Sequence, residues 1–229
     1  MRRFPVDALP AAIGDQVVLG AEASHHLLRV CRHPRGSELV VFDGSGQQGR
    51  ARLAEVTADD RAVIELVEAP SHAAPRRETW VVLAVLKGPA MERALRMGTE
   101  AGATGFQPVL SDRTVAKGDR HDRWLRVLTG AAQQCGRADV PELRPVRSLA
   151  DGLSALPPGL TRFVAAPGAA PAPTRSEGHA VAIGPEGGWS PRELDAMLAA
   201  DWAPLGLGGW VLRADTAVAV AVASLAAER

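Results

Sequence analysis

Beyond residue 76 the chain alternates uninterrupted apolar runs with helical segments, and this alternation constrains its fold more than any other feature. Trp80 to Leu86 is continuously apolar. A strand without polar alternation is one buried on both faces, as in a parallel sheet covered by helices. The pattern then predicts a helix over Met91–Ala101, a strand over Phe106–Leu110 and a helix over Asp122–Cys135 with Trp124, Leu125, Leu128, Ala131 and Ala132 on its apolar face. A short helix at Ser148–Leu156 and strands at Arg162–Ala165 and His179–Ile183 follow, then a helix to about Ala200. An Ala/Val-rich helix from about Asp215 to Glu228, apolar on several faces, is expected to be buried, with a dimer interface as one way of burying it. The expected class is α/β.

Residues 1 to about 70 read as mostly β. Glu38–Phe42 leads into the turn Asp43–Gly46, and the stretches Arg50–Val56 and Arg61–Val67 alternate polar with apolar residues. One short helix, capped by Ser24, is expected to carry His25 to Arg32. This is a small barrel-like module. Ala69–Pro75 is a linker by composition, which predicts domains at 1–72 and 76–229.

Net charge is zero, but residues 76–147 hold 13 basic against 8 acidic side chains. Of the 26 basic residues only Lys87 and Lys117 are lysine. Arginine forks suit phosphate contacts, although an Arg- and Ala-rich composition also follows from a GC-rich genome. Cys31 and Cys135 are too few for a disulfide framework or a zinc site and are expected to be buried. No apolar run is long enough to cross a bilayer, and Met1–Asp7 lacks an apolar signal core, so a cytoplasmic protein without metal is expected.

Two glycine-rich turns close the chain. Ile183-Gly184-Pro185-Glu186-Gly187-Gly188-Trp189-Ser190 follows a strand and ends in a capping box, Ser190-Pro191-Arg192-Glu193, that starts a helix. Leu205–Gly209 runs into Val211-Leu212-Arg213-Ala214-Asp215-Thr216-Ala217. Neither turn has the Gly-Lys-Ser/Thr of a phosphate loop, the spacing of a dinucleotide fingerprint, or a serine between its glycines. Together they predict one backbone-lined site.

With these motifs the chain resembles the bacterial small-subunit (16S) ribosomal RNA uridine-N3 methyltransferases (RsmE type) of the SPOUT superfamily. Supporting matches are Lys87-Gly88, Thr99–Ala103, Ser111-Asp112-Arg113, Ala131–Arg137, Arg3-Phe4, His25-His26-Leu27 and Phe42-Asp43-Gly44. The resemblance implies a PUA-like β-barrel followed by a SPOUT α/β domain with a trefoil knot. It also implies S-adenosyl-L-methionine bound against the knot loops, a homodimer, and 16S rRNA in the small subunit as partner. Asp215 stands where the family usually has Glu, Met97 where Lys is common, and Gly130 where Glu is frequent. Trp189 replaces a frequent Phe, and Trp210 a polar or basic residue.

On this reading Gly184, Pro185, Glu186, Gly187, Gly188 and Gly208 offer main-chain groups to the cofactor, with Leu207, Val211 and Leu212 as apolar walls. Thr216 either donates a hydrogen bond there or caps the last helix. Arg213 either stabilises charge on the uracil oxygens or forms an ion pair with Asp215 or Glu186, and Glu186 is either a base or a loop brace. For RNA the candidates are Lys87, Arg113, Gln134 and Arg137, with Arg3, His25, Arg29 and Arg32 in the N-terminal domain. His26 is placed there or on a merely structural helix face. A SPOUT enzyme acting on ribose or another base, and a non-catalytic ribosome-assembly factor, are the competing readings.

Overall fold

The computed structural model describes residues 2–73, 76–115, 120–171 and 177–226. The end of the expected linker, Ala74–Pro75, and the last residues of the expected final helix lie outside them. The chain forms two compact units, one of residues 1–75 with 132–140, the other of residues 76–131 with 141–229.

The first unit holds β1 (Arg3–Pro5), β2 (Gln16–Val18), α1 (Ala21–His25), β3 (Glu38–Phe42), β4 (Gln47–Val56), β5 (Ala62–Leu66) and β6 (Ser71–His72). Its sheet runs β1-β3-β4-β5-β2, with β6 also on β4. Only the β1–β3 pair is parallel. The alternation along β3, β4 and β5 turns Leu39, Val41, Ala51, Leu53, Ile64 and Leu66 inward, onto Phe4, Leu19 and Leu27. Arginines occupy the opposite face, where Arg50 pairs with Glu38 and Glu68, and Arg52 with Glu65. From the 132–140 segment, Asp139 bridges to Gly44, and the Val140 amide donates to the Gly44 carbonyl at 2.9 Å.

Two expectations here are corrected. Ser24 is not a cap, because α1 starts after Gly20 and Ser24 is buried inside it. Its hydroxyl donates to the Leu19 carbonyl at 3.0 Å and accepts from the Ala62 amide at 3.1 Å, so it serves the neighbouring strand. The helix then widens into a π turn over His26–Val30 and stops, with Arg32 outside it at a left-handed φ of 53°. Cys135 is exposed, and only Cys31 is even partly buried.

The second unit contains β7 (Glu78–Ala84), α2 (Pro89–Ala101), β8 (Gly105–Leu110), α3 (His121–Cys135, whose last residues join the first unit), β9 (Glu142–Leu143), β10 (Arg147–Ser148) and α4 (Leu149–Ser154). After these come β11 (Thr161–Ala165), β12 (Gly178–Ile183), α5 (Pro191–Ala199), β13 (Ala203–Leu205) and α6 (Ala214–Ala226). All strand pairs in this sheet are parallel, in the order β10-β8-β7-β12-β11-β13, with β9 also on β8. One face buries Trp80, Val82, Val109, Val164 and Ala182 with Met197 and Trp202. On the chain's other long contact, α2 packs against α6, which in turn lies on β7 and β12. Trp124, Leu128, Ala131 and Ala132 of α3 are buried as expected, but Leu125 is exposed, because the apolar stripe is narrower than its sequence suggests.

In a parallel sheet every strand delivers its following loop to the same end. The loops after β7, β11, β12 and β13 therefore gather where their strands finish, at Ala84, Ala165, Ile183 and Leu205.

Candidate active site

The loops at that end enclose a cavity of about 670 Å³, within the range of small-molecule sites. Its walls are Ala165–Pro167 after β11, Ile183–Trp189 after β12, Leu207, Gly208 and Trp210–Asp215 after β13, with Ala90, Leu194 and Ala217 from the helices. Most of this lining is glycine, alanine, proline and leucine, so the surface offered is main chain and apolar side chain.

Gly188 sits at φ 71° and Gly208 at φ 120°, each with open space where a Cβ would stand. Side chains other than glycine rarely take such angles, and one placed there would occupy the space in front of the loop. Gly206 is enclosed instead: a Cβ on it would lie 1.9 Å from the Ala169 carbonyl oxygen. Its amide donates to the Ala170 carbonyl at 2.8 Å, and the Ala166 amide to the Leu205 carbonyl at 2.9 Å. The strand entering the second glycine loop is thus laid directly on the loop that follows β11.

The first glycine loop is braced by residues from the turn after β8. The capping box of α5 is present, with the Ser190 hydroxyl accepting from the Glu193 amide and the Glu193 carboxylate accepting from the Ser190 amide. That same buried carboxylate also accepts the Asp112 amide at 2.8 Å. Asp112 accepts in turn from the Ser190 hydroxyl at 2.6 Å and from Arg192 at 2.7 Å. Hydrogen bonds from Ser190 and then Arg192 hold the Asp112 carboxyl below the usual carboxylate range. Arg113 donates to the Gly187 carbonyl at 2.6 Å.

At the far wall Asp215 is buried and accepts from Arg93 of α2 at 2.7 Å. Burial pushes its carboxyl up, but the hydrogen bonds from Arg93 and the Thr216 amide, with the charges of Arg93 and Arg213, outweigh this and lower its pKa. Asp215→Asn should cost about 1–2 kcal/mol, the worth of a charge-assisted hydrogen bond, read as a fall in the thermal midpoint. A depressed carboxyl stabilises the fold above its unfolded value and loses that contribution as pH falls through its folded one. The gap between parent and variant should therefore close as pH drops below about 4. A gap that persists in acid would show that packing, not the ion pair, sets the difference.

The match to known proteins now has a structure to rest on. A family model described as an RNA methyltransferase domain matches residues 73–226. The ribosomal RNA small subunit methyltransferase E of Synechocystis is 33% identical over 220 residues, covering 91% of this chain and 72% of its own. That of Mycobacterium tuberculosis is 32% identical over 244 residues, covering 97% and 90%. The enzyme of the same name from Neisseria gonorrhoeae, solved bound to S-adenosylmethionine, superposes with a TM-score of 0.89 at 27% identity, covering 98% of this chain and 96% of its own. The chain belongs to the ribosomal RNA small subunit methyltransferase E family.

In this member of the methyltransferase E family, nine of the ten residues expected at the cofactor line one cavity: Gly184, Pro185, Glu186, Gly187, Gly188, Leu207, Gly208, Val211 and Leu212. Thr216 does not line it. It lies within the first turn of α6, where its amide donates to the Asp215 carboxylate at 3.0 Å, so it does not cap the helix either. Arg213 and Glu186 are exposed side chains on the cavity wall, and the acid beside Arg213 takes Arg93 as its hydrogen-bonded partner. Arg93 and the Ala165–Pro167 wall carry no signal in the sequence, since neither stands in a glycine motif, and the capping box gives no sign that Glu193 also accepts the Asp112 amide.

The RNA candidates are scattered. Lys87 and Gln134 are exposed, and Arg113 is exposed while bracing Gly187. Arg137 is corrected: its side chain is 3% exposed and paired with Asp139, so it is structural. In the first unit His25, Arg29 and Arg32 are exposed, with Arg29 paired to Asp60. Arg3 is partly buried, donates to Gln48 at 2.6 Å and lies over the Phe42 ring. Burial lowers its pKa. His26 packs edge-on against Phe4, its structural reading. The neighbouring Gln133 donates its side-chain amide to the Arg3 carbonyl. No helix is long and apolar enough to cross a membrane, and no cluster of potential metal ligands occurs, among the described residues.

Proposed function

We propose that the chain methylates N3 of a uracil in 16S rRNA of the small ribosomal subunit, using S-adenosyl-L-methionine. The observation that carries this reading is the glycine-walled cavity, in a chain whose 98%-covering structural relative was solved with S-adenosylmethionine. The residues fit such a molecule. Main-chain groups at Gly184–Gly188 and Gly208 suit an adenine edge, and Leu207 and Leu212 suit the ring and the aliphatic chain. Bound there, S-adenosylmethionine supplies an electrophilic methyl group.

What remains for the protein is to position and to stabilise charge. N3 of uracil is a weakly acidic imide on the pairing edge, so the base must be unpaired to reach the cavity and must lose its proton. Arg213, on the cavity wall, is the candidate to stabilise the negative charge that this leaves on the uracil oxygens. Glu186, also exposed on the cavity wall, is the candidate to receive the proton. Lys87, Arg113, His25, Arg29 and Arg32 supply phosphate contacts, so binding weakens with salt.

The finer features of the family belong to the same proposal. Residues 1–72 form a PUA-like barrel, and residues 76–229 a SPOUT domain whose C-terminal segment forms a trefoil knot. The seating of Gly206 on the loop after β11 supports the knot. The protein acts as a cytoplasmic homodimer without metal. The dimer is supported by α6, whose Ala219, Val220 and Ala223 leave apolar surface beyond its buried face.

The test is incubation with labelled S-adenosylmethionine and undermethylated small subunits, followed by nucleoside mass analysis. N3-methyluridine is the expected product. A label on ribose or another base would move the specificity, and no label despite cofactor binding would favour an assembly factor.

A further inference from the structure

The chain has five tryptophans and no tyrosine. Trp80, Trp124 and Trp202 are at most 3% exposed, and Trp189 is half-buried against Gly184. Trp210 is 85% exposed and lines the cavity, beside Val211 at 82%. An indole is the largest apolar side chain, with a π face and one N–H, and leaving it in water costs burial that the other four tryptophans obtain. It follows two glycines, Gly208 and Gly209, and around Gly209 nothing lies within 4 Å of a Cβ position. The ring therefore stands clear on the cavity wall, three residues before Arg213 and in the same lining as Glu186.

We infer that Trp210 is the stacking platform for the unpaired pyrimidine base presented to the cavity. The inference rests on the reading of the cavity as a base-methylation site. A base withdrawn from its helix loses its stacked neighbours, and an indole at the entrance replaces one of them without reading the base edge. Recognition of N3 is left to other groups of the cavity wall. Trp210 thereby holds the base plane while Arg213 meets its oxygens.

The test compares Trp210→Ala and Trp210→Phe with the parent on undermethylated small subunits. Alanine should lower kcat/KM by about tenfold or more, phenylalanine should retain most of it, and the affinity for S-adenosylmethionine and the molecular mass in solution should not change. A second readout does not need turnover: binding of a single-stranded RNA oligonucleotide carrying either uracil or an abasic site at its centre. The parent should prefer the uracil form, and Trp210→Ala should erase that preference. Unchanged kcat/KM, a phenylalanine variant as poor as alanine, or a fall in mass, which would mean that a second copy covers the ring, each overturns the inference. If the parent modifies no nucleoside, the functional reading fails by itself, and the oligonucleotide pair still decides the role of Trp210.

Discussion

Gly206→Ala should lower the midpoint of thermal unfolding by about 10 °C. The added methyl would sit 1.9 Å from the Ala169 carbonyl oxygen, less than any tolerable contact. The obstacle is main chain on both sides, so no rotamer change relieves it. Either the loop after β11 moves or β13 does, and each movement breaks the amide bonds joining Gly206 to Ala170 and Ala166 to Leu205. Overpacking with lost hydrogen bonds costs about 3 kcal/mol or more. At roughly 2–4 °C per kcal/mol for a chain of this size, the shift is easily read by circular dichroism. Gly209→Ala is the control, since nothing lies within 4 Å of its Cβ position. A Gly206→Ala midpoint within about 2 °C of the parent would show that the two segments are not pressed together as described.

The second large effect falls on binding. Gly188→Val should weaken S-adenosylmethionine at least about 100-fold by calorimetry while leaving a cooperative unfolding transition. A β-branched residue at φ 71° carries about 1–3 kcal/mol of strain, which the loop relieves by rotating its peptides away from their present direction. The isopropyl group also enters the open space ahead of Gly188. Every 1.4 kcal/mol is tenfold in affinity, so strain and obstruction together reach the predicted loss. Because Gly188 is exposed and makes one turn bond, from its amide to the Pro185 carbonyl at 2.8 Å, the fold should survive. Binding within about threefold of the parent would remove the first glycine loop from the cofactor site.

The parallel sheet, the helices on it and the capping box at Ser190 were readable because each writes a local pattern: an apolar run, a 3.6-residue stripe, a hydroxyl three residues before a glutamate. The glycine loops were readable for the same reason, and nine of their residues meet at one cavity. What stayed hidden depends on partners distant in the chain. Strand β13 is three residues long, Ala203–Leu205, and exists only because β11 offers it an edge. Arg93 looks like any helix-surface arginine until Asp215, 122 residues later, is placed beside it. Ser24 has the residue type of a cap, but the Ala62 amide, 38 residues away, claims its hydroxyl. Arg137 stands in a motif rich in polar residues and is nevertheless buried with Asp139.

The pairing of β7 with β12 also bears on how the protein is made. Glu78 lies opposite Gly178 and Leu83 opposite Ile183, so the central pair of the sheet closes across a hundred residues of chain. Loop-closure entropy must be met before such a contact returns anything, and topologies of this kind fold slowly. On the ribosome the strands of the first sheet, all within residues 3–72, emerge together and can pair early. The wall strands of the cavity cannot assemble until β12 has been synthesised, and the last wall arrives with α6. A nascent chain can therefore hold the strands of the first sheet paired while the glycine-walled cavity is still unformed, and that cavity closes only once the residues after β13 have been synthesised.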